Sequence, residues 1–346
     1  MNRKAVYFVA VWLMCTSTLF AEQARSWLVL PVPIMFYGPS TGIAGGVMGI
    51  VDFGQNRIQA GGLYTQKRQS LAFAEGRFFF RGDDLLLVNQ LAFSYFPRVF
   101  YGIGPQADMK EQYTPRDVRI ESFLGIQVAE NLYIGPFYRF LCSDIVKTEG
   151  GGLLEYGQVG GSDGTIISGG GARLIWDRRD HELFPRRGTY LDVETGLFRT
   201  ELGSRENFAL FVIDARCYLP LFERQVLAFQ YLLKLSGGEV PLQALPDLGG
   251  QSVLRGYKDR RYLDKVACAL QGEYRFPIFW RFGGSLFGAL GQVASSMSGL
   301  DFQDIKLAGG GGLRIAIDQK RHISLRIDCA FSPNDSGLYF GFGEAF

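Results

Sequence analysis

The strongest constraint on the fold is an alternation of apolar with polar residues that recurs along much of the chain. In residues 207–219, NFALFVIDARCYL, apolar side chains such as Phe211 and Ile213 occupy the odd positions, and Asp214 and Arg216 fall between them. A period of two is that of a β-strand with one apolar face. The same period recurs in residues 117–128, 191–197 and 323–331. It predicts an all-β protein in which many strands carry charges of both signs on one face.

Composition supports strands and turns over a helical core. The 346 residues include 45 glycines, and 14% of the chain is aromatic. The formal net charge is only +2, so net charge predicts no polyanion-binding surface and no nucleic-acid partner.

The connections between the predicted strands alternate in length. About sixteen strands are expected, at roughly 20 residues per strand and connection. A soluble sandwich would also explain the alternation, but short turns on one side and long loops on the other are typical of an outer-membrane barrel. We therefore predict an all-β, transmembrane antiparallel β-barrel with about 16 strands. The predicted short connections are 54–55, 81–84, 130, 222–224, 280–281, 319–322 and a longer one at 178–187, and the long connections are 97–115, 145–163, 239–266 and 295–305.

The first residues have the composition of an export signal. Arg3 and Lys4 precede an apolar core, and small polar residues lead to Ala21. This order predicts a cleaved signal peptide at 1–21 and a barrel domain at 22–346, located in the outer membrane of a Gram-negative bacterium. A membrane anchor helix is the alternative, but the apolar core is short for a full span.

The final segment, GLYFGFGEAF, also alternates, and it is predicted to put Phe340, Phe342 and Phe346 on one apolar face. Because lipid supplies no hydrogen-bonding partners, a last strand in this position must close on the first. A terminal aromatic strand resembles the signal that outer-membrane assembly machinery reads. An ordinary edge strand is the alternative.

Five segments resemble one family. LGGQSVLRGY at 248–257, QGEYRFP at 271–277, WDRRDHELFPRRGTYL at 176–191, YGPSTGIAGG at 37–46 and the last 21 residues are similar to the barrel of the BamA/TamA family, the bacterial surface antigen superfamily. The family's turn motif corresponds here to Asp177, Arg179, Asp180, Pro185 and Gly188.

The resemblance implies a protein that assists insertion or translocation of a macromolecule. The implied partners are outer-membrane lipid, the assembly machinery during biogenesis, and a protein client or periplasmic partner. Family members usually carry periplasmic POTRA domains that catch clients, but only residues 22–26 precede the first expected strand. We therefore expect a barrel-only branch, for which a passive channel for small solutes is the alternative function.

The long loop at 239–266 is predicted to fold into the lumen and to be anchored by Arg255, Gly256, Tyr257 and Glu273. A barrel of this size has a lumen wide enough for water, and Glu273 falls on the inward face of its strand. Arginine binds a carboxylate bidentately and stays charged. The resemblance implies a second carboxylate on the next strand, where this chain has Ala289, so half of the anchor is expected to be missing. A solvated surface position for Arg255 is the alternative.

The remaining motifs predict no chemistry: no catalytic residue, metal or cofactor is expected. GGSDG at 160–164 lacks the strand-turn-helix context of a hydrolase, and a chain with two histidines is a poor candidate for an enzyme such as a phospholipase. GGGG at 309–312 lies in a strand, where close backbone packing explains it. Four cysteines on apolar strand faces are predicted to be free thiols: Cys142, Cys217, Cys268 and Cys329.

Overall fold

The computed structural model describes residues 28–38, 42–318 and 323–346, so the predicted signal peptide at 1–21 and the connection at 319–322 lie outside the described residues. The strands are β1 (Leu28–Gly38), β2 (Gly42–Phe53), β3 (Asn56–Thr65), β4 (Ser70–Phe80), β5 (Leu85–Tyr95), β6 (Arg98–Phe100), β7 (Glu111–Ala129), β8 (Leu132–Thr148), β9 (Thr165–Asp177), β10 (Gly188–Phe198), β11 (Phe208–Pro220), β12 (Val226–Gly238), β13 (Asp247–Leu248), β14 (Tyr262–Leu263), β15 (Val266–Phe279), β16 (Phe282–Ala294), β17 (Lys306–Asp318), β18 (Ile323–Ser332) and β19 (Asp335–Phe342). Short 3₁₀ turns lie at Thr200–Leu202, Leu242–Ala244, Met297–Gly299 and Phe302–Asp304. In this part of the chain, no helix is long and apolar enough to cross a membrane.

Sixteen of the described strands form one antiparallel meander in which each strand pairs with the next. The short β6 pairs with β7, and β13 pairs with β14 inside the 239–265 loop. Within the described residues, no ladder joins β1 to β19. The all-β barrel architecture predicted from the alternation is confirmed, with sixteen wall strands.

The alternation sorts side chains between the interior and the outer surface. Inward positions form buried or half-buried ion pairs along neighbouring strands, for example Arg173 with Asp192 at 2.6 Å. Outward positions such as Leu286 and Phe331 are apolar and exposed. Because a soluble protein would bury this apolar face, the distribution is that of a barrel surrounded by lipid.

Contacts also cross the interior. Glu182, in the turn between β9 and β10, pairs with Arg57 of β3 at 3.0 Å and with Arg77 of β4 at 2.9 Å. The backbone N–H of Glu344, after β19, donates to the carbonyl of Leu183 at 3.1 Å. The sheet is therefore curled so that distant strands face one another.

The predicted connections match closely, with two corrections. The connection predicted at 145–163 begins later, because β8 extends to Thr148. The turn at 178–187 and the loop at 295–305 agree with the strand ends. The loop predicted at 97–115 is shorter, because β7 already begins at Glu111 and carries Pro115 within it. The pairing register shifts between Thr114 and Pro115, and such an irregularity accommodates the missing proline N–H.

The four described cysteines are free, as predicted. They lie on four different wall strands, β8, β11, β15 and β18, and are half-buried or exposed.

Candidate functional site

The tip of the 239–265 loop lies inside the barrel and ends in a buried arginine. Only 1% of Arg255 is exposed, although it belongs to a loop. Its Nη2 donates to Glu273 of β15 and its Nη1 to Asp328 of β18, each at 2.5 Å. Its guanidinium also lies 3.6 Å from the ring centroid of Phe287 on β16. One loop side chain thus holds three wall strands.

The second carboxylate is a correction to the sequence prediction. Ala289 packs against the apolar part of the loop, and the position of the expected carboxylate is taken by Asp328, two strands further on. Gly312 of β17 makes this possible, because a Cβ there would overlap the Asp328 carboxylate. The predicted half-missing anchor is wrong: Arg255 has two carboxylate partners.

Further arginines surround the same carboxylates. Arg314 donates to Glu273 at 3.0 Å and to Asp328 at 2.6 Å, and Arg275 donates to Glu273 at 2.9 Å. The complete cluster, which we call the lumen cluster, consists of Arg255, Arg275, Arg314, Arg326, Glu273, Asp328 and Glu344. Four cations against three anions leave a net charge of +1 (4 − 3). Because the members are nearly shielded from water, the several guanidinium contacts of each carboxylate offset the cost of burying its charge.

Gly256 and Tyr257 complete the contact with the wall. Gly256 has φ +116°, and a Cβ there would lie 2.9 Å from the carbonyl carbon and oxygen of Phe331. Its N–H donates to the hydroxyl of Tyr339 on β19 at 3.0 Å, and that hydroxyl donates to the carbonyl of Tyr257 at 3.2 Å. Burial raises the pKa of Tyr257 to about 12, so this phenol stays protonated at physiological pH. The loop is therefore bound to the last strand as well.

The outer part of the loop is held by other loops. Arg261 donates to the carbonyl of Ala107 at 2.6 Å and to Asp108 at 2.8 Å. An apolar cluster joins Leu242 and Leu263 of this loop to Leu154, which lies between β8 and β9. The loop thus closes the lumen from its outer end to its middle.

The predicted turn motif is a structural unit. Arg179 donates through two nitrogens to the Asp177 carboxylate, at 2.8 and 2.7 Å. One oxygen of Asp180 accepts the backbone N–H of Arg186 at 2.9 Å. The two aspartates therefore fix both ends of the turn between β9 and β10.

The last two residues of the motif, Pro185 and Gly188, act through their backbone. Gly188 has φ +107°, and a Cβ there would overlap the carbonyl of Arg178. The carbonyl of Pro185 accepts from Arg275 Nη1 at 3.3 Å. The turn is thus connected to the lumen cluster, a link that spacing alone does not reveal.

The aromatic residues of the final segment divide between the two faces. Phe340 is outward and 55% exposed, as predicted, and the side chain of Phe342 lies outside the described residues. Phe346 corrects the prediction, because only 5% of it is exposed and it packs with Tyr218 and Val226 inside the barrel. The alternation stops where β19 ends at Phe342 and Gly343 takes φ +74°.

The lumen cluster can therefore hold the loop in place as a plug. In the described ranges, no group of three or more metal-ligating side chains is placed to bind a metal. A sequence signal for Asp328 was present in its inward position on β18, but identifying it required the pairing of β15 through β18.

Comparison with known proteins agrees with the geometry. No curated protein sequence matches the chain. Among solved structures, BamA from Haemophilus ducreyi lacking POTRA domains 1–3 superposes with a TM-score of 0.62 at 14% identity, covering 92% of this chain and 69% of that one. CdiB from Escherichia coli gives 0.63 at 15%, covering 92% and 63%, and CdiB from Acinetobacter baumannii gives 0.57 at 12%, covering 91% and 59%. These likenesses concern the fold.

The family model for the Omp85 superfamily domain matches residues 56–346. This match covers most of the chain and includes the whole 239–265 loop, the turn motif and the final strand. The chain is an outer-membrane β-barrel, and it belongs to the Omp85 superfamily.

Proposed function

We propose that this barrel assists the insertion or translocation of a polypeptide at the outer membrane, without catalysing a covalent reaction. The observation that carries the proposal is a plugged lumen together with a first and a last strand that no described ladder joins. Arg255 fixes the plug to the wall, and among the described strands no ladder joins β1 to β19.

Free strand edges favour a polypeptide client. Each edge presents a row of backbone N–H and C=O groups that an extended chain can pair with. In lipid, an unpaired edge is costly, so a client strand that supplies these bonds is stabilised there. A small solute gains nothing from such an edge.

The plug disfavours the passive channel. The loop fills the middle of the lumen with the charged lumen cluster and with buried apolar residues such as Leu248 and Leu254. A polypeptide could instead pair with the edge of β1 or of β19, or it could displace the loop from the lumen. The protein client and a periplasmic partner belong to this proposal.

Site-specific photocrosslinking tests the proposal. A photoreactive amino acid at Phe340 of β19 should crosslink to polypeptide clients in growing cells, whereas the same group at Leu197 of β10, which is also exposed and outward, should not. Equal crosslinking at both sites, together with a large and steady single-channel conductance of the purified protein, would overturn the proposal in favour of a channel.

A further inference from the structure

A second charged feature lies at the end of the barrel where the short turns gather, which is the periplasmic end of an outer-membrane barrel. It is a cavity of about 470 Å³ between the turn that follows β9, the turn that follows β11 and the hairpin of β15 and β16. Its charged lining consists of Arg186, Arg224, Arg275, Arg281, Arg314 and Glu344. Five cations against one anion give this lining a net charge of +4 (5 − 1).

Among the described side chains, the outer arginines of this cavity have no carboxylate partner. Arg275 and Arg314 belong to the lumen cluster and hold its carboxylates. Arg186, Arg224 and Arg281 are exposed, and across the described residues no carboxylate lies within ion-pair distance of them. Within the described part of the chain, this positive charge is therefore open to a ligand.

The barrel wall is irregular at this point. The pairing of β15 with β16 shifts between Pro277 and Phe279, and Gly283 and Gly284 follow on β16. The cavity consequently borders both inward Arg275 and the ring of Phe276 on the opposite face of the same strand. A ligand can touch the lumen charges and the lipid-facing surface together.

Aromatic side chains mark this rim as a membrane interface. Trp280 is 74% exposed and Phe279 is 64% exposed, and aromatic girdles of barrels lie at the level of the lipid headgroups. The guanidinium of Arg281 lies 4.9 Å from the ring centroid of Trp280, which holds the charge at that level.

We propose that this cavity binds the phosphate group of an anionic membrane lipid from the periplasmic leaflet. The planar fork of arginine matches phosphate oxygens, and the apolar lining from Phe276 and Trp280 accommodates the glycerol and the first acyl carbons. A soluble phosphate would share the charge contacts but not the apolar ones. An acidic peptide would bind through the charges alone and would not need the wall irregularity that brings Arg275 and Phe276 to the same cavity.

Lipid binding to the purified full chain tests the proposal. Native mass spectrometry in neutral detergent would measure the affinity for dioctanoyl phosphatidylglycerol and for dioctanoyl phosphatidylcholine. The variant Arg224→Gln/Arg281→Gln should weaken phosphatidylglycerol binding by about tenfold or more, because each basic residue adds appreciably to attraction for an anionic lipid.

A matched control removes the same charge from the opposite rim. Arg68→Gln/Arg199→Gln changes two exposed arginines in outer loops, and Arg68 shares a positive φ of 60° with the 63° of Arg224. This control should leave phosphatidylglycerol affinity within about twofold of the wild type, since charges beyond the Debye length are screened.

Three results would overturn the proposal. The first is equal loss in the two double variants, and the second is equal affinity of the wild type for the two lipids. The third is displacement of phosphatidylglycerol by an equimolar amount of inorganic phosphate or of an acidic peptide, which would assign the site to a soluble ligand.

Discussion

Replacing Arg255 by alanine should release the loop from the lumen while leaving the barrel folded. The arginine contributes two of the loop's ion pairs with the wall, to Glu273 and Asp328. These are the loop's buried pairs, whereas the pairs of Asp247 with Lys234 and of Lys258 with Asp335 are more exposed. After its loss Glu273 keeps Arg275 and Arg314, and the net charge of the lumen cluster falls from +1 to 0. No carboxylate is left unpaired.

The free-energy cost of Arg255→Ala depends on which ion pairs of the two carboxylates remain. Breaking a buried ion pair costs about 3–5 kcal/mol when one charge is left without a partner. Because both carboxylates keep guanidinium partners here, we expect the lower end, about 3 kcal/mol, expressed mainly in loop docking. That value corresponds to roughly a hundredfold rise in the undocked population.

Glu273→Gln should behave differently. It removes a carboxylate that three arginines share, at 2.5, 2.9 and 3.0 Å, and raises the net charge of the cluster to +2. This variant should destabilise the wall itself, lowering the temperature at which the barrel unfolds on a heated gel. Arg255→Ala should change that temperature less.

Limited proteolysis from the outer side distinguishes loop release from barrel unfolding. Arg255→Ala should speed cleavage within 239–265, and Arg255→Lys, which keeps the charge but not the two-pronged contact, should give an intermediate rate. The double variant Arg255→Ala/Glu273→Gln should cost less than the sum of the single changes, because the residues share a contact. Unchanged cleavage in Arg255→Ala, or strictly additive costs, would refute the anchoring role.

Three further predictions follow from the same contacts. Ala289→Asp should lower stability by about 2 kcal/mol, because Asp328 already pairs with Arg255 and the new carboxylate would enter an apolar cluster; increased heat resistance would contradict this. Gly256→Ala should also release the loop, with a cost of about 1–3 kcal/mol from its φ of +116°, and cleavage within 239–265 at the wild-type rate would argue against it. Mass spectrometry of the unreduced protein should find every cysteine free, and a bridge between any two would contradict the strand faces.

The strand pairing changes the result expected when the charges at positions 255 and 273 are exchanged. From sequence alone, Arg255→Glu with Glu273→Arg is expected to restore part of the contact. In the structure, a glutamate at 255 would face Asp328, and an arginine at 273 would face Arg275 and Arg314. We therefore expect the exchange to fail, and recovery of the wild-type cleavage rate would refute the geometry of the cluster.

The sequence predicts the local features of this fold better than its distant contacts. The period of two places Glu273 inward, because it depends only on neighbouring residues. Asp328 lies 73 residues from Arg255, and only the pairing of four successive strands brings it there. Gly312 is recognisable as a close-packing position, but the partner that needs the space is not.

Two aromatic residues of the final segment are expected to have different roles, one in recognition during assembly and one in packing inside the barrel, although the sequence places both on one face. Phe340 faces outward on β19, where assembly machinery can read it, whereas the ring of Phe346 lies 5.5 Å from the Arg275 guanidinium inside the barrel. Phe340→Ala should slow the appearance of folded barrel in a pulse-chase experiment, with little effect on the final unfolding temperature. Phe346→Ala should leave the assembly rate near that of the wild type but lower the free energy of unfolding by about 3 kcal/mol, as expected for loss of a buried phenylalanine. Slow assembly in both variants would mean that Phe346 is read before it enters the barrel, and the separation of roles inferred from its burial would be wrong.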